Sequence, residues 1–357
     1  MTRDQARGTV DTHQLAGLAF QCLDGCGFCC TFQPEVSTRE LALLRERFRP
    51  GPVPLAAGGD RTYLALQNTC GACALLSARS CTAYDLRPAH CRYFPFHVYF
   101  GDQSEVCVNY TCRGVERRGQ ASLSLAFDAS VLKVVRQGEL GAHEKQAREA
   151  YGEFERRARR AGAWTDAGGA IAEAQTLVAE VFRGDRIEAL TQRAGEPLGR
   201  EEMLADAMLP FAADDVTKRP FYLASDLKWL TFERHGAGLA VLEMDERGAF
   251  LPRGHVAGLD KWEDLPDGVA HALVPYLHSL IARRSFLGSA YAIVDDGDYE
   301  STVEEAIWWR VAEVSVDIVA RARVLRAMGV ADNDLAEETA RFYDSAFLDA
   351  PTIGGWL

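Results

Sequence analysis

A chain of 357 residues with 48% hydrophobic and 25% charged residues has the composition of a globular protein, and its length suits two domains or one large domain with a module attached. The net charge of −12 is uneven: the first 120 residues carry 13 Arg and no Lys against 11 acidic residues, and the remainder carry 26 basic against 40 acidic residues, which argues against a nucleic-acid-binding face. The opening residues lack an apolar leader and no run approaches ~18 apolar residues, so the sequence predicts no membrane span and a cytoplasmic location.

In chain order, residues 1–19 read as a lead-in of weak helical character, and 20–30, punctuated by Gly25 and Gly27, as a loop. Thr38-Arg-Glu-Leu is a helix start signal, with the helix running to about Phe48. Pro50, Gly51 and Pro52, then Gly58-Gly59-Asp60, mark turns, and 63–66 suggests a short strand. The texture changes after about residue 120. Helical periodicity runs through 142–161, 171–182, 201–211 and 222–234. Leu239-Ala-Val-Leu-Glu-Met reads as a strand, with a turn at Glu246-Arg-Gly and Ala249-Phe-Leu pairing back. The segment 276–286 is apolar on one face. The clearest helix is 302–328, which opens on the capping box Thr302-x-x-Glu305, carries a stripe of Ile307, Val311, Val314, Ile318, Ala322 and Leu325, and stops at Gly329. A last helix is predicted over 334–347. The fold class expected is mainly α: a small, irregular, cysteine-rich metal-binding module (1–120) attached to a predominantly helical domain (121–357) with a minor β-hairpin.

All ten cysteines lie in the first part: Cys22, Cys26, Cys29, Cys30, Cys70, Cys73, Cys81, Cys91, Cys107 and Cys112. In a reducing compartment, such a cluster binds metal or reacts rather than forming disulfides. Cys26-x2-Cys29 and Cys70-x2-Cys73 have the spacing at which two sulfurs from one tight turn reach the same ion, and Cys22 adds a third from the first loop. Three thiolates so spaced hold three corners of a [4Fe–4S] cluster. Structural zinc is the alternative, but further single cysteines exceed the needs of a four-cysteine zinc site. The adjacent Cys29 and Cys30 would point to opposite sides of an extended segment, so that only one serves a given ion. Cys107 and Cys112 are the cysteines most readily read as buried, inert thiols. His90, His97, His255, His271 and His278 are candidate ligands or bases, although a lone histidine is more often structural. Trp308-Trp309 reads as core.

Phe20-x-Cys22-x3-Cys26-Gly27-x-Cys29-Cys30, together with the block from Cys73 through Cys81, Tyr84, Arg87-Pro88 and Cys91-Arg92 to Phe94-Pro95-Phe96, resembles the YkgJ-type cysteine-cluster proteins, a zinc- or iron-chelating family. The order of the later helices is similar to one branch of it, the flagellin lysine-N-methylases. That resemblance implies a [4Fe–4S] enzyme that uses S-adenosylmethionine to methylate lysine side chains of a protein substrate. Cys22, Cys26 and Cys29, with a fourth cysteine, would ligate the cluster. Arg87 and Arg92 would hydrogen-bond its sulfurs or a substrate carboxylate, the alternative being surface pairing with acids such as Asp85. The acidity of the second half would attract a lysine-rich partner. Two readings compete: a zinc-stapled interaction protein without enzymatic activity, and a redox or metal-handling protein using Cys30 as a reactive thiol.

Overall fold

The structure, a computed structural model, describes residues 10–58, 61–117, 139–215, 218–346 and 351–356. Residues 1–9 of the lead-in and the Gly59-Asp60 turn lie outside these residues.

The first part is built of short elements. Strand β1 (Leu18–Phe20) precedes the first cysteine loop. Helix α1 (Thr38–Arg47) is capped by Ser37, whose hydroxyl accepts from Glu40 N while the Glu40 carboxylate accepts from Ser37 N. Such a box satisfies two helix-end donors and stabilises by about 1 kcal/mol. Hairpins β2 (Leu55–Gly58)–β3 (Arg61–Leu64) and β4 (Leu76–Ser77)–β5 (Ser80–Cys81) follow, then the one-turn helix α2 (Ala89–Tyr93). Strands β6 (Phe96–Phe100) and β7 (Ser104–Val108) form an antiparallel hairpin, and β8 (Val115–Arg117) returns to pair with β1.

The second part places helices α3 (Glu139–Ala161), α4 (Ala167–Leu177), α5 (Gly184–Arg193) and α6 (Arg200–Ala207) before a sheet, and α7 (Asp267–Ile281), α8 (Arg284–Asp296), α9 (Val303–Ala327) and α10 (Asp332–Asp344) after it. Helix α9 is the hub, packed against α4, α5, α6, α8 and α10. Its predicted stripe is buried, and so are Trp308, Val316 and Val319 on other faces, because neighbouring helices cover most of its circumference. The Thr302–Glu305 capping box is present as predicted.

The segment 222–234 is not helical. It forms β9 (Phe221–Leu223) and β10 (Trp229–His235), joined by a turn in which Leu227 takes a left-handed conformation (φ 63°). With β11 (Gly238–Met244) and β12 (Phe250–Val256), these strands make a four-stranded antiparallel meander in the order β12-β11-β10-β9, where a single hairpin was expected. The reason is double-sided burial. Tyr222, Leu230 and Phe232 face the helical core, while Leu223, Trp229 and Met244 pack with Phe28, Ala72 and Leu76 of the cysteine loops. A strand covered on both faces shows no polar alternation and mimics a helical run. The sheet thus lies between the helices and the cysteines. Strand β13 (Gly355–Trp356) adds to the edge of β6. No helix of the described residues is long and apolar enough to cross a membrane.

Candidate metal centre

Four chain segments bring thiols together. The first is the loop 22–30. Gly27 takes a left-handed conformation (φ 60°), and a Cβ there would come within 3.2 Å of the Trp229 ring. It starts a 3-10 turn, Phe28–Thr31, closed by Cys30 N donating to Gly27 O (3.0 Å). Phe28, 1% exposed, anchors the turn in the apolar cluster against the sheet. The Cys26 carbonyl accepts from Trp229 Nε1 (3.0 Å) and from the Arg79 guanidinium (3.2 Å), which stacks 3.8 Å above the Trp229 ring. The second segment is fixed to the first by Cys73 N donating to Cys30 O (2.7 Å). Cys81 follows on β5, opposite Leu76. The third segment is α2, carrying Cys91 behind Pro88. The fourth holds Cys112, whose N–H donates to Asn109 O (3.3 Å) and whose carbonyl accepts from Arg341 of α10 (3.0 Å).

Cys29 and Cys30 do not diverge as an extended segment would make them. In a 3-10 turn, neighbours are separated by about 120° rather than 180°, and the Cys30 thiol donates to the Cys29 sulfur. That bond, with Arg87 nearby, holds Cys29 below the usual thiol range despite its burial. The same bond and burial push Cys30 up. Burial, and secondarily the neighbouring sulfurs, raise Cys73 to about 11 and Cys112 to about 12. The thiol neighbours divide into two groups that meet at Cys29. Cys112 senses Cys26, Cys29 and Cys22. Cys30 and Cys91 each sense Cys29, Cys73 and Cys81. Arg87 offsets charge at Cys29, Cys81 and Cys91, and Arg79 does so at Cys26.

Two cysteines stand apart. Cys70 Sγ is directed at Gly248 O (3.8 Å), because Gly71 is pressed against the turn 246–248 and Asn68 and Thr69 both have positive φ. Cys107 lies fully buried on β7 beside Glu105 Oε2 (3.5 Å). All ten cysteines are free thiols. Of the two arginines singled out in the sequence, Arg87 stacks on Tyr84 (3.6 Å) and faces the thiols. Arg92 turns outward to Glu40 (3.7 Å). His90 neighbours Cys91 on α2, and His97 packs against Phe94. His255 faces His235 across the sheet edge, and His271 and His278 lie on α7. Sequence reasoning missed Arg79 and Trp229. The first is the only cation between Cys70 and Cys81, a usable signal; the second has none, being 203 residues from the carbonyl it holds.

A cleft of about 600 Å³ opens beside the cysteine module, lined there by Thr31, Phe32, Leu66 and Cys70 and on the helical side by Asp206, Trp309, Glu313, Asp317 and Tyr343.

No curated protein and no solved structure matches the chain. Residues 21–113, which contain every cysteine described above, match the model of the CxxCxxCC family, whose description is "Putative zinc- or iron-chelating domain", and this supports a metal held by the cysteine cluster.

Proposed function

We propose that the protein is an S-adenosylmethionine-dependent lysine N-methylase whose cysteine cluster carries a [4Fe–4S] centre. One observation supports the iron–sulfur part: thiols from four segments gather around Cys29, more of them than a four-cysteine zinc site uses. Cys22, Cys26, Cys29 and Cys112 would hold the cluster, Cys112 supplying the fourth corner because its thiol neighbours are the other three. With a thiolate on each of its four irons, the cluster would supply one-electron redox chemistry, and the methyl donor would be bound by the chain's own residues. The methylase part rests on the resemblance to the flagellin lysine-N-methylases and on the cleft at the edge of the cysteine module, where Cys70 is the one cysteine of the lining.

The chain's own residues would then do the following. Arg87 offsets negative charge at the thiolates. Trp309 and Tyr343 give the cleft aromatic walls, and Asp206, Glu313 and Asp317 lie there among Lys218, Arg219, Arg283, Arg310 and Arg321. Transfer breaks the sulfonium S–CH3 bond and forms N–CH3 on the lysine amine, so one proton leaves the nitrogen. Glu313 is paired with Arg310, and Asp317 with Arg321, which leaves Asp206 as the carboxylate of the cleft to accept it.

A second reading has its own observation. Cys30, Cys73 and Cys81 sit in an apolar cluster with Val36, Leu44 and Leu64, the setting of a structural zinc staple. Anaerobic purification separates the two. Brown protein with equal iron and acid-labile sulfide is the expected result. Colourless protein with stoichiometric zinc overturns the iron–sulfur reading. A loaded cluster that transfers no labelled methyl group to lysine-rich protein overturns the methylase reading alone.

A further inference from the structure

Asp11, His13 and Glu105 form a constellation separate from the cysteines. Their donor atoms all lie within 4.8 Å of one another, the only such set of three or more among the described residues. His13 Nδ1 stands 2.9 Å from Asp11 Oδ2 and 3.8 Å from Glu105 Oε1. Ligand atoms around one zinc or manganese ion at ~2.1 Å are about 3 to 3.5 Å apart, a spacing these two distances bracket. The backbone fixes the arrangement: Asp11 N donates to Ser104 O, and Val106 N donates to Asp11 O, both at 2.8 Å, laying Asp11 alongside β7.

Glu105 makes the site more than a surface cluster. Its side chain is 0% exposed. Oε2 accepts from Arg284 N (2.8 Å), at the start of α8, and lies beside the Cys107 thiol. Oε1 has no hydrogen-bond partner among the described residues and is aimed at His13. A buried carboxylate oxygen left so costs about 1 to 3 kcal/mol, which a bound cation would recover. Of the nearby arginines, Arg284 pairs its Nη1 with Asp102 (3.3 Å), and Arg283, paired with Asp344 (3.6 Å), also acts on the Glu105 carboxyl through its charge. A cavity of about 520 Å³, lined by His13, Gln14, Tyr110 and His278, adjoins the site and leaves open positions on an ion.

Gln14 completes it. Its carboxamide Nε2 contacts His13 Nε2 (2.9 Å), and its Oε1 accepts from Ser279 Oγ (2.7 Å). Turning this amide over would present Oε1 to His13 Nε2–H, with the serine hydroxyl accepting from the amide, at the loss of the bond that Nε2 donates to Ser279 O (3.4 Å). The outer nitrogen of a metal-bound histidine needs such an acceptor.

We propose that Asp11, His13 and Glu105 bind a divalent first-row transition ion, Mn2+ or Zn2+, at a second metal centre independent of the cysteine cluster. One imidazole and two carboxylates suit such an ion and balance its charge. The test uses the full-length protein and Mn2+ alone, a hard ion that thiolates hold poorly. One equivalent is expected to bind by calorimetry and by loss of the free-ion paramagnetic resonance signal. His13→Ala and Asp11→Asn, both at partly exposed positions, are expected to weaken it at least tenfold, and Cys26→Ser is expected to leave it unchanged. No binding by the wild type up to millimolar Mn2+, or equal binding by both ligand variants, overturns the proposal. Loss in Cys26→Ser alone would assign the ion to the thiols and overturn it equally.

Discussion

Cys29 is where the two groups of thiols meet, with Cys22, Cys26 and Cys112 on one account and Cys30, Cys73, Cys81 and Cys91 on the other. Its replacement therefore has the widest expected effect. Cys29→Ser should purify with less than half the wild-type metal and sulfide, whereas Cys70→Ser and Cys107→Ala should retain all of it. Full metal in Cys29→Ser, or a large loss in either of the others, would contradict this partition; metal and sulfide analysis of the three variants decides. The types of ligand were legible in the sequence because thiol spacing is itself a chemical signal. The orientation of Cys70 was not, since it depends on a turn 176 residues away, at Glu246, into which Gly71 is pressed. Arg92 illustrates the same limit. It lies beside a cysteine in sequence, but α2 rotates it toward Glu40.

At the scale of elements, the capped helices could be read because a capping box and a 3.6-residue period are local. The start of α1 and the whole of α9 fall where the sequence puts them. Strands β9 and β10 could not, because both of their faces are buried by segments distant in the chain. Helix α10 has a role that its own sequence does not announce. Arg341 donates to the carbonyls of Tyr110, Cys112 and Val115, and Glu338 pairs with Arg113 while accepting from the Tyr222 hydroxyl. Burial pushes the Glu338 carboxyl up, but Arg113 and Tyr222 outweigh it and hold it below the usual carboxylate range. With the folded value depressed, the stabilisation is fully present above the unfolded carboxylate value and is lost as pH falls through the folded one. Glu338→Gln should therefore destabilise the protein by about 3 kcal/mol at pH 7, as expected for breaking a buried pair. Urea unfolding followed by helical circular dichroism should show the gap between wild type and variant narrowing as the pH is lowered below about 4.5. A gap that stays constant down to pH 3 would mean that the carboxylate charge contributes nothing.

Across the whole molecule, the cysteine loops are held from outside as much as from within. Their apolar underside, formed by Phe28, Ala72 and Leu76, is completed by Leu223, Trp229 and Met244 of the sheet. Ala72 N donates to Glu246 O (2.8 Å), Asn68 Nδ2 to Arg247 O (3.1 Å) and Asn109 Nδ2 to Asp344 O (3.1 Å), each tying the first part to the second. A small irregular module has too little core to hold its own geometry without a metal or a partner surface, and here the sheet supplies that surface. The fragment 1–120 expressed alone would expose the Phe28 face and lose the groups that position the carbonyls of Cys26 and Cys112. It should therefore aggregate, or bind less than half the metal of the full chain, under the same anaerobic reconstitution. If the fragment instead takes up full metal and unfolds cooperatively, the cysteine module is autonomous and the sheet is only its neighbour. The expected failure would identify the sheet and α10 as parts of the metal site, which explains why the resemblance confined to residues 21–113 stops short of describing what builds the centre.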